Sequence, residues 1–198
     1  RNYFADVNGN IGQSANNQLD GLQDIGRVLK NEELDLWTMK NGYALATEGG
    51  LEHITDYLNQ IGDKAYEELK GKLRIGIQWD TEVTIDDAGH QVTQVYCSAL
   101  PVAYSQHDHY LWEKFARLIL EGTYEATILA GMLNYEKTGN NELYLTLVGG
   151  GAFGNRMSWI LDSLKSVVTK YSSLPLQLKI VSYGSSSPAV KKFADSFE

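Results

Sequence analysis

Apolar side chains recur at helical spacing in four stretches of this chain and alternate, or run together, in the segments between them. Leu19, Leu22, Ile25, Val28 and Leu29 form one stripe, and Asn16 or Asn17 stands where a helix cap would. Ile54, Leu58, Ile61, Ala65 and Leu69 predict a helix over 51–73. Leu111, Phe115, Leu118, Ile119, Ile128, Leu129 and Leu133 predict a long one over 110–136. Trp159, Ile160, Leu164, Val167, Val168 and Tyr171 predict another over 157–171. Ile75, Ile77, Trp79, Val83 and Ile85 all fall on odd positions, the pattern of a half-buried strand. Asp86-Asp87-Ala88-Gly89 then turns the chain, and 91–104 returns as a second strand that bends or ends at Pro101. The run 143–148 is almost continuously apolar, as in a strand buried on both faces of a parallel sheet. A last strand is expected over 176–183, after Pro175, and a short helix after Pro188. Residues 3–7 are short and apolar and end in the turn signal Asn8-Gly9-Asn10, while 31–50 is mixed and reads as loop.

The C-terminal half therefore reads strand, helix, strand, helix, strand. Two such crossovers imply right-handed parallel connections with helices on both faces. The expected fold is α/β, a three-layer α/β/α sandwich whose mixed sheet has a parallel C-terminal half and a hairpin on one side. No repeat or second domain boundary is evident, so residues 1–198 are read as one domain.

Composition narrows the classes. At 198 residues, 43% of them hydrophobic, with 12 Tyr and 4 Trp, the chain has enough apolar matter for a full core. A net charge of −8 without any Lys/Arg run lacks the electrostatic footprint of a nucleic-acid binder. The single cysteine, Cys97, excludes an internal disulfide and a cysteine-based zinc site, and fits a reducing compartment. No apolar run approaches a membrane span, so neither a nucleic acid nor a membrane is an expected partner. Arg1 opens the chain without Met or a signal-peptide pattern, which is read as a fragment of a longer protein.

Gly149-Gly150-Gly151-Ala152-Phe153-Gly154-Asn155 is the chemically pointed stretch. It joins the carboxyl end of an expected strand to the start of a helix. There, free backbone N–H groups and the helix dipole favour a phosphate. The competing reading is a tight structural turn. Gly149-x-Gly151-x-x-Gly154 has the spacing of a dinucleotide fingerprint, but the next strand ends Ile180-Val181-Ser182-Tyr183-Gly184, without the carboxylate that holds a ribose.

A different resemblance covers more residues. Leu145-Thr146-Leu147-Val148 with the glycine loop, a helix and a strand ending in an aromatic resembles the second ligand loop of macrodomains. Gly151-Ala152-Phe153-Gly154 matches that family's Gly-Val-Tyr/Phe-Gly core, and Val95-Tyr96-Cys97-Ser98-Ala99-Leu100-Pro101-Val102 is similar to the strand before its long helix. Ala5-Asp6-Val7-Asn8-Gly9-Asn10 resembles the Val-Asn-Ala-Ala-Asn strand end, and Leu19-Asp20-Gly21-Leu22 the Val-Asp-Gly-Ala-Ile after the first loop. There are departures. Gln13-Ser14-Ala15-Asn16-Asn17-Gln18 replaces the glycine run before that Asp, Asn155-Arg156 replaces an aromatic-Pro pair, and 31–90 is longer and different.

The resemblance implies ADP-ribose, or a protein bearing it, as ligand, with no cofactor and no metal. Gly149, Gly150, Gly151, Ala152, Phe153, Gly154 and Asn155 would hold the diphosphate. Asp6, Asn8 and Asn10 would lie at the distal ribose, where Asn10 is counted with Asp20 as catalytic, and Tyr183 would stack on adenine. Asp20 would act at an oxocarbenium-like centre, making the protein a hydrolase of the ADP-ribosyl bond. A non-catalytic ADP-ribose or nucleotide reader needs the same loops, and an interaction domain using the hairpin 75–104 stays open. The resemblance also implies a cytoplasmic protein, or one acting in a host cytosol if it is a bacterial effector.

Other residues carry blander alternatives. Asp24 lies one turn beyond Asp20, where two close carboxylates can raise one pKa or simply form a solvated face. His107-Asp108-His109 with Glu113 suggests metal ligands, or Asp108 as a helix cap. Ser185-Ser186-Ser187 is a phosphate-binding run or a tail, and Cys97 reads as packing.

Overall fold

The computed structural model describes residues 6–7, 9–14 and 16–197, and it is a mixed α/β arrangement of helices around small two-stranded sheets. In chain order come β1 (Asp6–Val7), β2 (Asn10–Ile11), α1 (Gln23–Leu29), α2 (Asn31–Leu34), β3 (Trp37–Lys40), β4 (Tyr43–Ala46), α3 (Glu48–Gln60) and α4 (Asp63–Lys70). They are followed by β5 (Gly76–Glu82), β6 (Gln91–Tyr96), α5 (His109–Thr138), β7 (Glu142–Leu145), α6 (Met157–Lys170), β8 (Gln177–Ile180) and α7 (Pro188–Asp195).

Helix α5 is the axis of the core. Leu111, Trp112, Phe115, Ile119, Tyr124 and Ile128 are buried along it, and α3 and α6 pack against it. The Trp37 ring reaches Phe115 at 5.3 Å between centroids, so the β3–β4 hairpin is seated on the same core. The helix stops where Gly139 takes a left-handed φ of 76° and donates its N–H to the Tyr135 carbonyl at 2.8 Å. Toward that end Leu129 and Leu133 are exposed, because α5 runs past the elements that cover its first turns.

Only part of the expected sheet forms. Strands β7 and β8 pair in parallel, Glu142 with Gln177 through Leu145 with Ile180, joined by the crossover helix α6. Strand β6 pairs only with β5, antiparallel, and a groove of about 350 Å³ lined by Thr93, Val95, Tyr144 and Thr146 separates it from β7. The continuous sheet of a three-layer sandwich is therefore not seen among the described residues. Without a neighbour on that side, the run 143–148 is not buried on both faces: Leu145 is buried, Tyr144 and Thr146 are exposed.

Other expectations shift locally. Residues 31–50 are not loop: they hold α2, the β3–β4 hairpin and the first turn of α3, which Thr47 caps by accepting from Gly50 N–H at 3.0 Å. The helix expected over 51–73 is two, because Ile61 is extended and Gly62 starts α4 afresh. In β5 the register slips between Gln78 and Thr81, at Asp80 with φ of 54°, and this bulge turns Trp79 outward. The return strand stops at Tyr96, short of Pro101. Helix α1 begins at Gln23 with Leu22 at its cap position, so neither asparagine caps it; Asn17 donates to the Val7 carbonyl instead. Among the described residues no helix is long and apolar enough to cross a membrane.

Candidate functional site

The glycine loop occupies 146–156, between the carboxyl end of β7 and the start of α6. It is folded tightly by its own backbone: Gly150 donates to Leu147, Gly154 to Gly151 and Asn155 to Gly149, at 3.0–3.2 Å. Two glycines have no substitute. Gly149 has φ of 80°, and a Cβ there would lie 2.4 Å from the Ala99 Cβ; Gly154 has φ of 69°, and its Cβ would lie 2.7 Å from that of Ala103. Gly151 differs, for a Cβ there meets nothing within 4 Å.

What the loop presents is a set of donors. Among the described residues, the N–H groups of Gly151, Ala152 and Phe153 donate to no protein acceptor, and the chain is exposed at 150–152. Helix α6 follows with no side-chain cap at Arg156, so its first N–H groups are unsatisfied as well. The Arg156 guanidinium lies over the Trp159 ring at 5.6 Å. Exposed amides, an uncapped helix start and one arginine are the chemistry that receives an anion.

The loop is fastened to the segment that follows β6. Asn155, only 5% exposed, donates through Nδ2 to the Leu100 carbonyl at 2.9 Å and to the Gly149 carbonyl at 3.4 Å. Ala103 N–H donates to the Phe153 carbonyl at 3.0 Å. The Tyr124 hydroxyl donates to Thr146 and accepts from Val148 N–H, and burial pushes its pKa up to about 12, so it stays a neutral strut.

Asp20 shares a cavity wall with this segment. Its Oδ1 accepts from Leu22 N–H at 2.8 Å, an Asx turn that ends just before α1 rather than inside it. Arg74 N–H donates to the Gly21 carbonyl at 3.0 Å, which anchors that turn to the start of the β5 hairpin. A cavity of about 1010 Å³ opens there, with Gln18, Asp20, Tyr43, Gln78, Ser98 and Leu100 in its wall. Asp24 is not a partner for Asp20. It pairs with Arg74 at 2.6 Å and Arg27 at 2.8 Å, and the Arg74 hydrogen bond holds its carboxyl below the usual range, the reverse of a raised pair.

The remaining expected residues are scattered. Asp6 accepts from Gly9 N–H at 2.9 Å, Asn10 is exposed in β2, and neither lines the cavity. Asn8 lies outside the described residues. Tyr183 stands fully in solvent. His107 has Nε2 at 3.2 Å from the Ala46 carbonyl, and His109 packs on Trp159 at 5.8 Å. No group of three or more His, Cys, Asp or Glu able to hold a metal occurs among the described residues. Asp108 takes the cap position of α5 but makes no capping bond with its side chain, whereas Ser187 does cap α7, accepting from Val190 N–H at 3.4 Å. Burial raises the Cys97 thiol, and its Sγ lies 3.9 Å from Thr127 Oγ1, as a packing residue would.

Sequence reasoning missed Tyr43 and Tyr104. Their rings and that of Phe153 meet in a trio, 5.2–5.8 Å between centroids, all edge to face. Asn41-Gly42 between Trp37-Thr38-Met39-Lys40 and Tyr43-Ala44-Leu45-Ala46 is a strong hairpin signal and would have found it. Comparison with family models, curated proteins and solved structures gave no match.

Proposed function

We propose that this protein binds ADP-ribose through the glycine loop and releases it from a modified protein, in the manner of a divergent macrodomain with its layered α/β/α arrangement. One observation carries the reading: the N–H groups of Gly151, Ala152 and Phe153, without a protein acceptor among the described residues, between a parallel strand end and an uncapped helix. That is a seat for a diphosphate. The β7–α6–β8 unit agrees with the layered arrangement as far as it extends. Asp20, in the wall of a neighbouring cavity, supplies the carboxylate that a glycosidic cleavage requires.

A second reading is a non-catalytic ADP-ribose reader. It is favoured by the Asp20 carboxylate being engaged by Leu22 N–H and by Asn10 standing apart from the cavity. Calorimetric titration with ADP-ribose, NAD and ATP tests the shared part. Micromolar affinity, about −8 kcal/mol, for ADP-ribose alone supports the family reading, and no binding of any of the three rejects it. Incubation with an ADP-ribosylated protein pool then separates hydrolase from reader.

A further inference from the structure

Resting on the ADP-ribose reading of the site, we propose that the tip of the β3–β4 hairpin is a selectivity wall. It makes the site prefer a phosphate-linked sugar to the same nucleotide without that sugar. Asn41 with φ of 53° and Gly42 with φ of 82° close the hairpin in two residues, the conformation of a type I′ turn, with Lys40 opposite Tyr43. So short a turn fixes the direction in which Tyr43 leaves the strand. The tip touches both sides of the site. A Cβ on Gly42 would lie 3.9 Å from Gln18 Oε1, while the Tyr43 ring lies 5.8 Å from Phe153 at 84°. Tyr104 contacts both rings, at 5.2 and 5.6 Å.

The two compartments that Tyr43 adjoins differ in chemistry. On the loop side stand free amides and the Arg156 guanidinium, which suit phosphate oxygens. On the cavity side the polar lining includes Gln13, Gln18, Gln23, Gln78 and Asp20, and its one cation among the described residues, Arg74, is paired through Nε to Asp24. Neutral amides and a carboxylate disfavour a second phosphate and match the alternating donors and acceptors of a polyol. The Tyr43 ring belongs to the cavity wall and also meets Phe153 of the loop, so a sugar entering there can pack its C–H groups on an aromatic ring. A ligand with its diphosphate on the loop therefore places its terminal sugar past Tyr43.

The test is calorimetric titration of the whole chain and its Tyr43→Ala and Tyr43→Phe variants with ADP-ribose and with ADP. The expected loss for Tyr43→Ala is about tenfold in ADP-ribose affinity, equivalent to about 1.4 kcal/mol, with ADP affinity essentially unchanged. Tyr43→Phe keeps the ring and is expected to keep the preference. Equal weakening of both ligands, or no change in either, overturns the wall while leaving the ADP-ribose reading intact. Failure of the parent protein to bind either ligand removes the reading and this inference together. Should Tyr43→Ala lower the melting midpoint, Tyr43→Leu, which keeps the apolar bulk without an aromatic face, decides by the same comparison.

Discussion

The Asn155 side-chain amide donates to the Leu100 carbonyl at 2.9 Å, so a buried side chain, beside the Ala103 to Phe153 backbone bond, fixes the glycine loop to the segment after β6. That bond joins the two halves of the candidate site. Leu100 is part of the wall of the Asp20 cavity, and Asn155 closes the loop that carries the unpartnered amides. Donors aimed at an anion are effective only while they are held in place beforehand, since ordering them on binding costs conformational entropy.

Asn155→Ala is therefore expected to lower both stability and affinity. It removes one of the two donors to the Leu100 carbonyl, which keeps Val102 N–H at 3.0 Å, a loss of about 1 kcal/mol. Asn155→Asp should be worse, because it removes the same donor and turns a carboxylate toward a carbonyl. Denaturant titration of the two variants checks this order. A parent-like midpoint for Asn155→Ala would mean that the loop holds its shape without the tie.

The glycines of the loop are expected to separate by role. Gly149→Ala and Gly154→Ala place a Cβ within 2.4 and 2.7 Å of neighbouring Cβ atoms at positive φ. Forced overpacking of that kind costs about 1–3 kcal/mol, and the backbone strain adds to it. Gly151→Glu meets open space and should fold normally, yet its carboxylate would stand among the free amides and repel a phosphate. Melting midpoints and ADP-ribose titrations on the same three variants distinguish the cases. If Gly151→Glu binds as the parent does, the loop is only a turn.

Long-period features of the fold were legible in the sequence, and short or non-local ones were not. Trp112, Phe115 and Ile119 on α5, and Trp159, Ile160 and Leu164 on α6, repeat over enough turns for the helical period to be unambiguous. The hairpin of β3 and β4 is hard to read from periodicity because four residues a side are too few to show alternation, and its signal lies in Asn41-Gly42 alone. Strand 143–148 was misjudged for another reason: composition shows that a run is apolar, and only the absent neighbour explains why Tyr144 faces out. The site divides in the same way. A local glycine cluster announces itself, whereas the approach of Tyr43 to Phe153 depends on how distant elements pack.

Asp20 and Asp24 should behave differently although they share one short segment. On the proposed hydrolase reading, Asp20→Ala is expected to keep ADP-ribose affinity within about tenfold, or about 1.4 kcal/mol. Release of ADP-ribose from a modified protein should fall about a hundredfold or more, the scale of a lost acid–base contribution. Asp24→Ala breaks the pairs with Arg74 and Arg27 on an exposed face and should leave turnover near that of the parent. Radiolabel release from a modified protein pool reads both. A damaging Asp24→Ala with a harmless Asp20→Ala would overturn the proposed role of Asp20.

Stability should also depend on pH through a charge cluster that is not part of the cavity wall. Lys70, only 4% exposed, pairs with Glu67 at 2.5 Å and Glu125 at 2.8 Å, and Lys170 pairs with the same two carboxylates. Burial alone would raise the Glu125 carboxyl. Hydrogen bonds from Lys170, Lys70 and Tyr171 outweigh it and hold the pKa at about 2. A carboxyl depressed on folding stabilises above its unfolded pKa, about 4.3. That contribution is lost as pH falls from there toward 2. Glu121 works in the opposite sense: burial raises its pKa, and the Tyr66 hydroxyl at 3.1 Å only partly offsets this. Its protonation therefore stabilises the fold as pH drops from neutral. Together they predict a stability maximum in mildly acidic solution and a steep loss below about pH 4. Glu125→Gln should flatten the acid limb, and Glu121→Gln should raise stability near neutral pH while removing the rise on mild acidification. Urea denaturation across the pH range measures each limb separately. An acid limb unchanged in Glu125→Gln would mean that the lysine pairs do not set it.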